Sequence, residues 1–170
     1  MKLRTIFGLL STVAGGLLIF PALAQDATQP PAGQQAVLAV RGDGVQIYVC
    51  KQADGGPKWV FQAPQAKLLD ENGKEVGSHG AGPFWKSVDG SLVKGTLVSK
   101  SEAPEAGDIP WLLLKASAHE GQGVLSKVEY IRRSDTHRGA APDGGCDAAH
   151  LDTTVSMFYT AIYTFYAAKP

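Results

Sequence analysis

Between residues 45 and 50, apolar Val45, Ile47 and Val49 alternate with Gln46, Tyr48 and Cys50. That period of two is the signature of a β-strand whose two faces meet different surroundings. Asp54-Gly55-Gly56-Pro57 predicts a turn, with residues 58–62 as the returning strand. Asn72-Gly73 lies between apolar-containing segments 67–70 and 74–77, and Asp89-Gly90 lies between 84–88 and 91–99. Both are hairpin signals, because Asn, Asp and Gly tolerate the positive φ that two-residue turns demand. Further strands are predicted over residues 109–117 and 124–132, joined through Gly121-Gln122-Gly123. Residues 101–108 form a polar connection with room for one short helical turn, and 133–150 read as a long irregular segment. Over residues 153–167, Val155, Met157, Tyr159, Ala161, Tyr163 and Phe165 share one face, and their β-branched and aromatic neighbours favour strand over helix. No long segment carries a 3.6-residue apolar period, and no internal repeat is present. About eight or nine short strands with closely spaced turns predict an all-β fold, an antiparallel β-sandwich or barrel with long irregular loops.

The amino terminus departs from this pattern. Lys2 and Arg4 precede an uncharged apolar run over residues 5–20, followed by Pro21 and the small-x-small triplet Ala22-Leu23-Ala24. This is the grammar of a cleaved signal peptide over residues 1–24, and the run is shorter than the roughly 20 residues that span a bilayer. Residues 25–35, rich in Pro, Ala, Gln and Thr, read as a flexible leader, and residues 36–170 as a single all-β domain. The expected location is outside the cytoplasm, periplasmic or secreted, with no membrane span after cleavage. In an oxidising compartment the only two cysteines, Cys50 and Cys146, are expected to pair as a disulfide.

Charge narrows the function classes. The sequence carries 16 basic and 16 acidic residues, and Lys2 and Arg4 lie in the segment expected to be removed. The remaining chain is slightly acidic and has no basic run, so no nucleic-acid partner is expected. No G-x-G-x-x-G follows a predicted strand, which excludes a dinucleotide-binding turn of that kind.

Several spaced blocks carry a resemblance. They are Gly44-Val45-Gln46-Ile47-Tyr48-Val49-Cys50, Trp59, Ala66 to Leu69, and Gly77-Ser78-His79-Gly80-Ala81-Gly82-Pro83-Phe84-Trp85. Asp89-Gly90-Ser91, Ile109-Pro110-Trp111-Leu112-Leu113-Leu114, Ala141-Pro142 and Cys146-Asp147 complete the set. Together they resemble the secreted proteins of bacteria and fungi known as domain of unknown function 3455. The resemblance spans the chain beyond the signal segment and implies no activity. Where that family has a Thr-x-Gly-Gly-type stretch, this chain reads Thr136-His137-Arg138-Gly139, so His137 stands apart from the shared pattern.

His79 is the sharpest chemical candidate, set between glycines and a Gly-Pro-Phe-Trp segment. An imidazole there can act as a general base, a metal ligand or a polar contact in an aromatic pocket, or simply bond to the loop backbone. Ser91 and Asp89 allow a nucleophilic triad with His79 on paper, although Asp-Gly-Ser is also ordinary turn chemistry and no G-x-S-x-G elbow exists. His79, His119, His137 and His150 show no metal-binding spacing; only convergence of separate loops would make a site, with His79 the candidate ligand. The aromatics Trp59, Trp85, Trp111, Tyr48, Tyr159 and Tyr163 either fill the core or line a mouth that stacks on sugars or apolar ligands. Trp85, beside the Gly-Pro loop, is the one expected to escape the core. The reading is an exported, non-catalytic ligand-binding or interaction module. Its ligand-binding candidates are His79, Trp85 and Ser91, and its ligand is a small molecule or carbohydrate. The alternative is a hydrolase or metal-dependent enzyme using His79. The sequence specifies neither a cofactor nor an oligomeric state.

Overall fold

A computed structural model describes residues 26–170, so the signal segment expected over residues 1–24 lies outside the described residues. The elements are β1 (Gln34–Ala53), β2 (Gly56–Leu69), β3 (Glu75–Gly80), β4 (Phe84–Ser87), β5 (Leu92–Ser101), β6 (Trp111–Glu120), β7 (Tyr130–Arg138) and β8 (Thr154–Ala168). Each strand pairs antiparallel with its neighbour in sequence, and β8 returns to β1, closing one sheet into an irregular all-β barrel. The ring is uneven: β3 pairs with only Ala66–Leu69 of β2, so residues 56–65 of that strand are paired on the β1 side alone. Eight strands enclose a lumen just wide enough to be filled by side chains or to hold one small ligand.

The turns follow the expected chemistry. Gly55, Gly73 and Gly90 all take positive φ in the three short connections. The alternation in β8 also appears as expected, with Tyr159, Ala161, Tyr163 and Phe165 buried. In β1 the face that turns inward is Gln46, Tyr48 and Cys50, while Val45, Ile47 and Val49 are half-buried on the outside.

Three boundaries differ from the sequence reading. Segments 58–62 and 67–70 are one strand, β2, which runs through Pro64. A bulge lets it do so, because Ile47 pairs with Ala63 and Tyr48 with Phe61, leaving Gln62 without a partner. Proline inside a sheet is tolerated at such irregularities. Residues 124–129 form a turn, and β7 begins at Tyr130 and extends to Arg138, inside the segment expected to be irregular. Leu125 and Val128, three apart, both point into the core, which a turn allows and an alternating strand does not.

The third difference is the leader. Residues 26–33 are tied to the barrel instead of loose, and β1 already starts at Gln34. Thr28 is 0% exposed, Asp26 pairs with Arg132 at 2.7 Å, and the Ser99 hydroxyl donates to the Ala27 carbonyl. Composition marks this segment as polar, but its hydrogen bonds are made with specific side chains of the barrel wall.

Up-and-down order puts alternate connections at opposite ends. At one end, residues 121–129 fold over the barrel and insert Leu125 and Val128, each 1% exposed. At the other end lie the 81–83 turn and the long 139–153 loop. Cys50 and Cys146 are joined there with a Cα–Cα distance of 5.4 Å, and the Trp59 indole donates to the Gly144 carbonyl. Among the described residues no helix is long and apolar enough to cross a membrane.

Candidate functional site

Two rows of inward-facing residues meet at the end bearing the 81–83 turn. Register places Gly44, Ala66, His79, Trp85 and Val93 side by side across β1 to β5. It places Leu112, Arg133, Tyr163 and Val40 side by side across β6, β7, β8 and β1. The rows touch across the lumen. The His79 and Trp85 rings stack at 4.5 Å with an 11° interplanar angle, and Tyr163 leans on both, at 5.0 Å from His79 and 5.6 Å from Trp85. Room for the Tyr163 ring comes from Gly42, where a Cβ would lie 2.5 Å from the tyrosine Cε2.

Above this aromatic floor is a cavity of about 150 Å³. Its walls are Pro64, Leu112, Leu114 and Arg133, and its mouth is Phe61, Gln62 and the 81–83 turn. The bulge at Gln62 bends β2 at that rim. Phe61 is 51% exposed, whereas His79 is 4% and Trp85 1% exposed, so the site deepens from a wet rim to a dry floor.

The polar groups are few and specifically held. His79 Nδ1 lies 2.7 Å from the Phe84 carbonyl, which only accepts, so Nδ1 carries the proton and Nε2 keeps its lone pair. Burial, opposed by that carbonyl and reinforced by the Arg133 cation, lowers the imidazole pKa to about 4, leaving it neutral at pH 7. Arg133 donates through Nε and Nη2 to the Pro110 carbonyl at 3.0 and 2.8 Å. No carboxylate among the described residues lies within ion-pair distance of it. Burial raises the Tyr163 phenol pKa, and its hydroxyl lies 3.0 Å from that of Tyr159. The Trp85 indole N–H is buried without a hydrogen-bond partner.

The structure brings His79 and Trp85 together and separates Ser91 from them. Trp85 does not escape the core: it sits on β4, with Val93 as its cross-strand partner and Phe165 against its edge. Ser91 is fully buried in the β4–β5 connection, where its hydroxyl donates to Asp89 Oδ1 at 2.6 Å and accepts from the Leu125 N–H at 3.2 Å. Asp89 also takes the backbone N–H groups of Ser91 and Val124, and the Ser91 hydroxyl heads the contacts that hold its carboxyl well below the usual range. These residues join two turns at the plugged end, and no Ser91–His79 hydrogen bond forms among the described residues. The nucleophile–base contact that a triad requires is therefore not assembled.

The histidines likewise lie apart. His119 bonds to the Val128 carbonyl, and His150 pairs with Asp147 at 2.7 Å on the surface. His137 is exposed on β7. Among the described residues no three His, Cys, Asp or Glu side chains converge as metal ligands.

The remaining aromatics divide between wall and outside. The Tyr48 hydroxyl donates to the Gly139 carbonyl, and Arg132 lies over the Trp111 ring at 5.2 Å. The sequence reading missed Arg133. Its signal was present, two positions after Ile131 on the inward face of a strand, but the predicted strand stopped at Arg132.

A family model described as protein of unknown function (DUF3455) matches residues 31–167, which takes in the whole cavity and all eight strands but for Ala168, the last residue of β8. No curated protein and no solved structure matches the chain.

Proposed function

We propose that this chain, which belongs to the DUF3455 family of proteins of unknown function, is an exported binding module that takes a small molecule in the barrel mouth above His79 and Trp85. The observation that carries the reading is the cavity itself. An eight-stranded barrel either fills its lumen with side chains or keeps room for one small ligand, and this one keeps about 150 Å³ lined by apolar groups and three held polar ones, His79, Arg133 and Tyr163. A concave apolar site with a few convergent polar groups is the usual form of a ligand pocket. Binding without turnover is favoured because no Asp or Glu among the described residues lines the cavity and the Ser91 hydroxyl is committed elsewhere. Export is supported by the leader pattern of residues 1–24 and by the Cys50–Cys146 disulfide.

The test uses a neutral ring of the right size. Benzyl alcohol titrated into the oxidised, ¹⁵N-labelled protein should shift the Trp85 indole N–H resonance in a saturable way. Leu112→Phe, which enlarges a side chain at the cavity wall, should abolish the shift. An indole resonance that does not move, or one that moves equally in Leu112→Phe, would remove the cavity as the binding site. Amino-terminal sequencing of the natively expressed protein tests export, with Gln25 as the expected first residue.

A further inference from the structure

Resting on that reading, the geometry points to a narrower ligand class: a single-ring organic acid, its ring packed in the apolar cavity and its carboxylate on Arg133. Size sets the ring. A closed apolar cavity of about 150 Å³ holds one benzene-sized molecule, and this cavity has that volume. Two fused rings or a long acyl chain would extend past Phe61, Gln62 and the 81–83 turn into solvent, so the space above His79 and Trp85 matches one ring.

Charge sets the acid. Among the described residues Arg133 is the one ionised side chain lining the cavity, since His79 is held neutral and no Lys, Asp or Glu contributes. It is partly buried, and among the described residues its acceptors, the Pro110 carbonyl and the neighbouring Tyr163 hydroxyl, are uncharged. A guanidinium has five N–H donors in a planar fork, and the carbonyl engages two of its nitrogens, so donors remain. A partly desolvated cation without a counter-charge is costly, and a ligand carboxylate supplies both the charge and matching bidentate acceptors.

The same arrangement argues against a sugar. On the cavity floor His79 already covers a face of Trp85 at 4.5 Å, which leaves Phe61 at the rim as the exposed ring for stacking. The polar groups are also too few to satisfy a ring of hydroxyls, each of which must be hydrogen-bonded when buried. A phosphate dianion is disfavoured by the single cation.

The experiment compares benzoate with benzyl alcohol by calorimetry on the oxidised protein, in wild type, Arg133→Gln and Leu112→Phe. Benzoate should bind wild type about tenfold or more tightly than benzyl alcohol, as charge-assisted pairing predicts. Arg133→Gln should remove that advantage, so that the variant binds the two rings with equal affinity. Leu112→Phe should weaken both. Equal affinities for the two rings in wild type, or equal losses of both in Arg133→Gln, would overturn the acid assignment while leaving the cavity as a binding site. Failure of both rings to bind wild type at millimolar concentration would overturn the binding reading itself. Should Arg133→Gln fail to fold, the benzoate preference of wild type and its decline with added salt decide the matter, since an ion pair weakens on screening and ring burial does not.

Discussion

His79 makes the fold sensitive to mild acid in a way that can be calculated. An unfolded imidazole titrates near 6.5, whereas the folded one, desolvated and facing the Arg133 cation, titrates at about 4. Between those values the unfolded chain holds the extra proton and the folded chain does not. Stability therefore rises with pH across this window and is lost as pH falls from 6.5 towards 4. The full span is worth about 3 kcal/mol, of which about 2 kcal/mol falls between pH 7 and pH 5. Asp26, with its carboxyl held near 2, acts mainly below the window, because its unfolded pKa is 3.8. Urea melts of wild type and His79→Gln at pH 7, 6 and 5 isolate the effect, since every other titrating group cancels in the difference. Wild type should lose about 2 kcal/mol more than the variant between pH 7 and pH 5. Parallel losses, within about 0.5 kcal/mol, would show that the imidazole is solvated in the folded state and that the cavity floor is not dry.

Ser91→Ala should lower stability by about 1–3 kcal/mol, because the buried Leu125 N–H loses its acceptor, while benzyl alcohol binding stays unchanged. Denaturant melts and the same titration check both halves. Replacing Cys50 and Cys146 together by Ala opens a loop spanning 96 residues, worth on the order of 4–5 kcal/mol on chain-entropy grounds. Reduction of the wild-type protein should reproduce that loss in a denaturant melt, and no change would refute the role of the staple. Asp26 is raised in pKa by burial but lowered more by the Thr28 hydroxyl and amide and by Arg132, to about 2. Its contribution is present above pH 3.8 and disappears as pH falls towards 2, so Asp26→Asn should destabilise the protein at pH 7 and cost almost nothing near pH 2.

The parts legible in the sequence were those written in local chemistry. Asn72-Gly73 and Asp89-Gly90 fix hairpins because the turn conformation is decided by the turn residues themselves. The inward face of β8 was legible because its aromatics repeat every second position. What was hidden depended on partners remote in sequence. Pro64 reads as a strand breaker until the bulge at Gln62 is known, and the bulge exists only in the pairing with β1. Leu125 and Val128 look like the start of a strand, yet they serve as a plug because the barrel end beneath them is open to be filled. Thr28 lies in a segment of disordered composition, and only Asp26 and Arg132 show why it is buried.

The same distinction explains the site. His79 stood out because its glycine-rich neighbours are local, and Ser91 was grouped with it because Asp-Gly-Ser resembles part of a catalytic set. The fold assigns the two to opposite ends of the barrel. At one end Asp89 and Ser91 tie the β4–β5 turn to residues 124 and 125, which closes the lumen. At the other end a disulfide and the Trp59–Gly144 bond hold the long loop without filling the space over Trp85. A barrel sealed at one end and stapled open at the other is a cup. Arg133 becomes meaningful only inside it: on an exposed strand an arginine needs no counter-charge, but between Leu112 and Tyr163 it lines a largely apolar cavity, with no carboxylate among the described residues at ion-pair distance. That register pairing, more than any motif, is what brings a cation, an imidazole and two aromatic rings to one cavity.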